Sequence, residues 1–276
     1  MKKIIIDKYE INTTKINKKL LIISDIHYSN KKDKAVLDKV LDKVKNNTYD
    51  YILIPGDFVN NARIEDEDIF INFIELLSKI APVIISIGNH DTALGKGKKK
   101  TYYLNEDLFN KIKSIKHVHL LDNDSYKKDN IRFIGLTLPL DYYKYHENKN
   151  YFKRYVNNIF KSVPKTAYNI LLCHSPVFFE DEKLIGEVPF LDNISLVVSG
   201  HMHGGLVPRC LRKKMKGKGF VDPFHSLIPK RSYGFYHLNN DKKVVICPGV
   251  LKFPSNSHIG FFNRFYDIEL IELTLK

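Results

Sequence analysis

Several apolar runs in this chain share one grammar. LLIISD (20–25), YILIPGD (51–57), VIISIGNHD (83–91), NILLCH (169–174) and SLVVSGHMH (195–203) each hold consecutive Ile, Leu or Val and then meet a polar residue. They are continuous rather than alternating, which is the pattern of strands buried on both faces. Between the first runs lie segments with helical spacing: Val36, Leu37, Val40, Leu41 and Val44 make one apolar face, and Ile69, Phe70, Phe73, Ile74 and Leu77 another. Strand and helix alternate, which predicts βαβ units and a largely parallel sheet core. Later runs at 131–138, 233–239, 243–249 and 265–275 are less regularly separated by helices. The middle two flank a turn at Asn239-Asn240-Asp241. These later runs predict antiparallel strands of a second sheet.

Length and composition narrow the class. A chain of 276 residues can bury a sizeable core without disulfides. Cys173, Cys210 and Cys247 are far apart and show no CxxC spacing, which argues for a reducing compartment. Cys173 and Cys247 read as core and Cys210 as exposed. The start, MKKIIIDKYE, stops its apolar run at Asp7, too early for a signal h-region. No stretch approaches the roughly 18 uninterrupted apolar residues of a spanning helix. The expectation is a soluble, cytoplasmic protein, a single domain over 1–276 with a basic loop insertion at about 206–231.

The polar residues that end the runs carry the chemistry. In α/β sheets, ligands gather at the carboxyl ends of strands. Here those ends bear Asp25 and His27, then Asp57, then Asn89-His90-Asp91, then His174, then His201 and His203. In DIH and HMH the two side chains sit at i and i+2, so an extended backbone would point both the same way. Each residue also has a bland reading, since Asp at a βα turn is commonly a helix N-cap and a lone His is commonly a core residue. The joint set in this order is far more specific. His117 and His119 repeat the spacing of HMH without glycine neighbours and read as strand positions.

The set D-x-H, G-D, G-N-H-D, H and G-H-x-H resembles the calcineurin-like metallophosphoesterase superfamily, with all blocks in family order between residues 25 and 203. The resemblance implies an α/β fold, a four-layer αββα sandwich of two mixed β-sheets flanked by helices. It also implies two divalent metal ions, Mn, Fe or Zn. One would be held by Asp25, His27, Asp57 and His203, the other by Asp57, Asn89, His174 and His201. Asp57 would bridge them, at the roughly 3.5–4 Å separation of two-metal sites. His90 would be the general acid or a clamp on the phosphate, and Asp91 would orient its ring. The implied activity is hydrolysis of a phosphoester, more readily a diester, by metal-activated water. His146, His225, His237 and His258 match no block of the family and are assigned no metal.

Charge bears on the substrate. The formal net charge is +13, from 44 Lys and Arg against 31 acids. The segment 206–231 holds eight Lys or Arg against one acid, Asp222, interleaved with Leu206, Val207, Leu211, Met215, Phe220, Val221, Phe224, Leu227 and Ile228. A second basic run is Lys96 to Lys100. Both follow the site blocks closely and are expected to rim the site. Basic charge mixed with apolar side chains fits an anionic membrane surface or an amphiphilic phospholipid. With IPKRSYGFYHL and VICPGV downstream, the GHMHGG block resembles the bacterial YkuE-type phosphodiesterase branch, linked to cell-envelope or lipid-type phosphodiesters. A nuclease acting on DNA or RNA is an alternative that positive charge favours, although no RRM, KH or helix-turn-helix pattern is present. A non-catalytic metal-binding scaffold is another, opposed by the intact set of ligand positions and His90. No protein partner is inferred.

Overall fold

Successive residues of the apolar runs face opposite sides of a sheet, and both sides are covered. The computed structural model describes residues 3–13, 16–95, 100–144, 149–160, 163–176, 179, 182–223, 227–238, 242–253 and 260–276. The first sheet contains β1 (Ile4–Ile11), β2 (Lys18–Ile22), β3 (Tyr51–Pro55), β4 (Val83–Ser86), β7 (Val118–Leu121) and β14 (Ile268–Leu275), in the order β1-β14-β2-β3-β4-β7. The second contains β8 (Ser125–Lys128), β9 (Ile131–Leu136), β10 (Tyr168–Cys173), β11 (Leu196–Ser199), β12 (Gly234–His237) and β13 (Lys243–Ile246), in the order β12-β13-β11-β10-β9-β8. A two-residue pair, β5 (Ala93–Leu94) with β6 (Thr101–Tyr102), lies apart from both.

Leu20, Ile22, Tyr51 and Leu53 of the first sheet meet Ile170, Leu172, Leu196 and Val198 of the second in one buried cluster between the sheets. The intervening residues Leu21, Ile52 and Ile54 face outward, onto Leu37 and Val40 of α1 (Lys34–Val44), Phe70 and Phe73 of α2 (Glu67–Ile80) and Leu108 of α3 (Glu106–Ser114). On the other outer face, Leu171 and Val197 join Tyr142 of α4 (Leu140–Lys144), Phe152 and Val156 of α5 (Lys149–Ile159), Leu184 of α6 (Glu182–Gly186) and Phe190 of α7 (Pro189–Asp192). The layers therefore run helix, sheet, sheet, helix, the predicted αββα sandwich. Both helical faces expected from spacing are the faces that pack, through Leu37, Val40 and Val44 and through Phe70, Phe73, Ile74 and Leu77.

The assignment of strands to sheets differs from expectation. The runs ending in His174 and in HMH belong to the second sheet, where β13, β11, β10 and β9 are parallel and only the edge strands β12 and β8 are antiparallel. The terminal strand β14 lies in the first sheet, parallel to β1 and antiparallel to β2. Burial on both faces makes a run continuous whichever sheet it joins, so hydrophobic pattern alone could not separate the two sheets. The turn at 239–241 lies outside the described residues.

Candidate metal centre

The carboxyl ends of β2, β3 and β4 in one sheet, and of β10 and β11 in the other, converge on a single cluster. Asp25, His27, Asp57, Asn89, His174 and His201 are buried and His203 is half-buried. Ligand atoms of Asp25, His27 and His203 lie within 4.8 Å of one another, as do those of Asp57, His174 and His201, and those of His27, Asp57 and His90. One Asp57 oxygen lies 3.0 Å from His174 Nε2 and 3.7 Å from His27 Nε2. Its other oxygen accepts the His90 amide at 2.8 Å. His27 Nε2 is 3.8 Å from Asp25.

The turns that aim these groups are strained. Asp25, His27, Asp57, His201 and His203 all adopt positive φ, from 47° to 67°. The DIH and HMH residues thus reach the cluster through left-handed backbone, and not through the extended backbone expected. Such conformations cost about 1–3 kcal/mol each and persist only where surrounding bonds enforce them. Gly200 shows how tightly the turns close: a Cβ there would press on Ser24 Oγ and lie 2.5 Å from Asp25 Oδ2. Asp25 in turn accepts the Ser24 hydroxyl at 2.6 Å and the His201 amide at 3.2 Å.

Asp91 sits elsewhere than expected. Its carboxylate does not orient the His90 ring. It accepts the amides of Asp57 at 2.9 Å, Gly88 at 2.7 Å and Val59 at 3.0 Å, tying the β3 and β4 turns together. His90 Nδ1 instead donates to the Asn60 carbonyl at 2.8 Å, and Lys100 Nζ lies 3.1 Å from its Nε2. A carbonyl can only accept, so Nδ1 carries the ring proton and Nε2 receives from Lys100. His203 and His174 are oriented in the same manner, by the carbonyls of Leu251 at 3.2 Å and Pro55 at 2.8 Å.

The protonation pattern suits a cation. Burial pushes His27 and His201 well below the usual imidazole range, and His90 down to about 4. Burial acts the same way on His174, but Asp57 and Asp25 outweigh it and hold that imidazole up at about 9. Burial raises Asp57 too, yet His174, His90 and His27 keep its carboxyl well below the usual range. Both ring nitrogens of His27 and the Asn89 side-chain oxygen are buried without a hydrogen-bond partner. Of the two His27 nitrogens one carries the ring proton; the other, like the Asn89 oxygen, is a buried acceptor, costly to leave unpaired unless something positive satisfies it. The donor set, imidazole with carboxylate and an amide oxygen, fits borderline divalent metals better than Ca²⁺.

Two further side chains stand beside the cluster. Lys100 is half-buried and forms no ion pair among the described residues. It closes the lysine run expected to rim the site, and residues 96–99 of that run lie outside the described residues. Tyr143 presents a buried hydroxyl without a hydrogen-bond partner among the described residues, its ring 5.2 Å from His201 and 6.3 Å from His174. It belongs to no spacing pattern. Of the controls, His119 is a strand residue of β7 stacked on Tyr126, and His117 just precedes that strand at φ 65°. Cys173 and Cys247 are buried and Cys210 exposed, as read.

The basic segment 206–231 is less uniformly exposed than expected. Arg209 and Arg212 lie in α8 (Arg209–Met215). Arg212 is buried against Glu269, and Arg209 reaches Asp7 at 2.6 Å and Glu269 at 3.3 Å. Two of the eight charges are therefore neutralised by acids distant in sequence, which composition within the segment could not reveal.

Comparison with known proteins identifies the family. Residues 18–205 match the model of the calcineurin-like phosphoesterase family. An uncharacterized metallophosphoesterase of Helicobacter pylori is 22% identical over 193 residues, 68% of this chain and 45% of that protein. The UDP-2,3-diacylglucosamine pyrophosphatase LpxG of Chlamydia muridarum is 29% identical over 97 residues, 35% of this chain and 27% of that protein. The chain thus spans less than half the length of these relatives. A dimetal phosphatase from Danio rerio superposes with a TM-score of 0.47 at 11% identity, over 87% of this chain and 90% of that one. The match over 18–205 covers every block of the strand-end cluster, and the chain belongs to the calcineurin-like phosphoesterase family.

Proposed function

We propose that the protein is a dinuclear metal-dependent phosphodiesterase acting on a lipid-linked or envelope-type phosphoester. The observation that carries this reading is the position of Asp57, whose carboxylate faces both the His27 side and the His174–His201 side of the cluster. Asp25, His27, Asp57 and His203 would hold one ion, and Asp57, Asn89, His174 and His201 the other. Mn²⁺, Fe or Zn²⁺ suits these donors. Bound there, the ions supply Lewis acidity to the phosphate oxygens and to the attacking water.

The chain's own residues do the rest. His90, kept neutral by burial with its Nδ1 proton fixed on the Asn60 carbonyl, and Lys100 together present a cation on the His27 side, placed to hold the ester and to deliver a proton toward the leaving oxygen. Tyr143 offers a hydroxyl on the His174–His201 side, where a phosphate oxygen would satisfy it. Asp91 acts as a positioning residue for the Asp57 turn. The YkuE-type resemblance favours a diester, and the lipid pyrophosphatase among the relatives favours a substrate with an acyl-bearing portion.

The test is hydrolysis of bis-p-nitrophenyl phosphate against p-nitrophenyl phosphate after chelation and Mn²⁺ addition, with Asp57→Asn as control. Metal-dependent cleavage that favours the diester and is lost in the variant is the expected result. No turnover with any divalent metal, despite bound ions, would leave the scaffold reading in its place.

A further inference from the structure

Two exposed apolar segments are pinned beside His203 by hydrogen bonds to the residues around it. The first brings Phe220 together with Leu227 and Ile228: the Phe220 amide donates to the Gly205 carbonyl at 2.8 Å, and the Ile228 amide to the Phe220 carbonyl at 3.1 Å. The second is the short 3-10 turn Gly260–Phe265, followed by Tyr266, whose hydroxyl donates to the Leu206 carbonyl at 3.1 Å. Gly205 and Leu206 come two and three positions after His203. The buried Asn263 fixes the second segment further. It accepts the amides of Lys252 and Phe253 at 3.0 and 3.1 Å, and His203 leans on the carbonyl of Leu251 just before them.

These pinned segments expose hydrocarbon. Leu227 is 81% exposed, Ile228 61%, Phe265 59% and Phe261 54%, with Phe220 and Phe262 each 41%. Phe261 and Phe262 have ring centroids 4.1 Å apart, and the Arg264 guanidinium lies 4.8 Å from the Phe265 ring centre. Along α8 and these segments, Lys213, Lys214, Lys216, Lys218, Lys230 and Arg264 are exposed and form no ion pair among the described residues. A monomer surface rarely leaves this many large apolar side chains to water on segments tied to its site without a use. Basic side chains bordering exposed Leu, Ile and Phe are the combination that enters an anionic lipid interface. Leu227 and Ile228, the most exposed of the set, have no π face on which a nucleic-acid base could stack.

We propose that this surface docks the protein on an anionic lipid bilayer, seating the strand-end cluster at headgroup depth. The inference deepens the reading above, in that a substrate with an acyl portion would be met where it resides.

The test is co-sedimentation of the full chain with vesicles of phosphatidylcholine, with or without phosphatidylglycerol, at low and high salt. Variants are Leu227→Ser/Ile228→Ser, Phe261→Ser/Phe265→Ser and Lys213→Glu/Lys214→Glu. Wild type is expected on the phosphatidylglycerol vesicles and roughly tenfold weaker on phosphatidylcholine alone. Each double variant is expected to lose roughly tenfold in binding, the apolar pairs at both salt concentrations. Circular dichroism and hydrolysis of a soluble ester, read on the same samples, are expected to match wild type. Loss of vesicle binding with hydrolysis intact bears on this surface alone, separately from the catalytic reading. The proposal is overturned by absence of binding at low salt, by apolar variants that bind as wild type does, or by polynucleotide displacing the protein from vesicles through the same residues.

Discussion

The Asp91 carboxylate accepts the backbone amide of Asp57 at 2.9 Å, so one buried acid holds the turn that carries the acid shared between the donor groups. With the Gly88 and Val59 amides it satisfies three donors that no solvent reaches. Asp91→Ala would strand them, at a cost of about 3 kcal/mol or more, given ~1–3 kcal/mol for an unsatisfied buried group. The expected outcome is a lower melting temperature together with weaker metal binding, measured by thermal melts with and without Mn²⁺. A variant with the wild-type melt would remove Asp91 from its bracing role.

Lys100 gives a separate prediction. Its Nζ donates toward His90 Nε2, while burial lowers its own affinity for a proton. Lys100→Met should leave metal content unchanged and reduce kcat on the diester roughly tenfold or more, the lower end of losses for a general-acid arrangement. Steady-state kinetics with metal analysis checks this. An unchanged kcat would place Lys100 outside the reaction.

Charges within the 206–231 segment should separate into structural and surface kinds. Arg212→Ala removes the closest partner of buried Glu269, leaving Arg209 at 3.3 Å and Lys252 at 3.5 Å to compensate in part. The expected loss is about 3 kcal/mol, the low end for breaking a buried pair. Lys213→Ala, exposed and without an ion pair, should change stability by less than about 0.5 kcal/mol. Urea denaturation of both variants tests the contrast.

The metal-free protein should show a stability maximum between two titrations of opposite sign. His27, His201 and His90 are buried with lowered affinity for protons, His90 to about 4 against an ordinary 6.5. The unfolded chain binds more protons there, so stability rises with pH between about 4 and 6.5. His174 is the opposite case, held up at about 9 by Asp57. Its contribution is complete below 6.5 and disappears as pH climbs through 9. Melts of chelated protein from pH 4 to 9 check the dome, and His174→Gln should remove the alkaline decline attributable to that group.

The candidate site was largely legible in the sequence because the polar residues ending the apolar runs form one ordered set, although each alone has a common structural use. Asp25, Asp57, His174 and His201 come from strands of two different sheets, and the resemblance of their ordered motifs to a known family is what groups them. What could not be read follows from what periodicity encodes. A continuous run reports burial on both faces and carries no information on its partner strand, so β10, β11 and β14 were placed in the wrong sheets. The i, i+2 spacing is indifferent to the sign of φ, and the left-handed turns at His27 and His203 came only with the structure. Asp91 was read as a side-chain partner because it adjoins His90, whereas its three bonds go to backbone amides, which leave no trace in residue identity. Arg212 and Glu269 are 57 positions apart, and their pairing is a property of packing alone.

Metal stoichiometry of the wild type and Asp57→Asn tests the shared-carboxylate arrangement most directly. Equilibrium dialysis against Mn²⁺, read by elemental analysis, should give two ions per wild-type chain and at most one in the variant, with folding confirmed by circular dichroism. One ion in the wild type, or two retained tightly in Asp57→Asn, would contradict a centre built around Asp57.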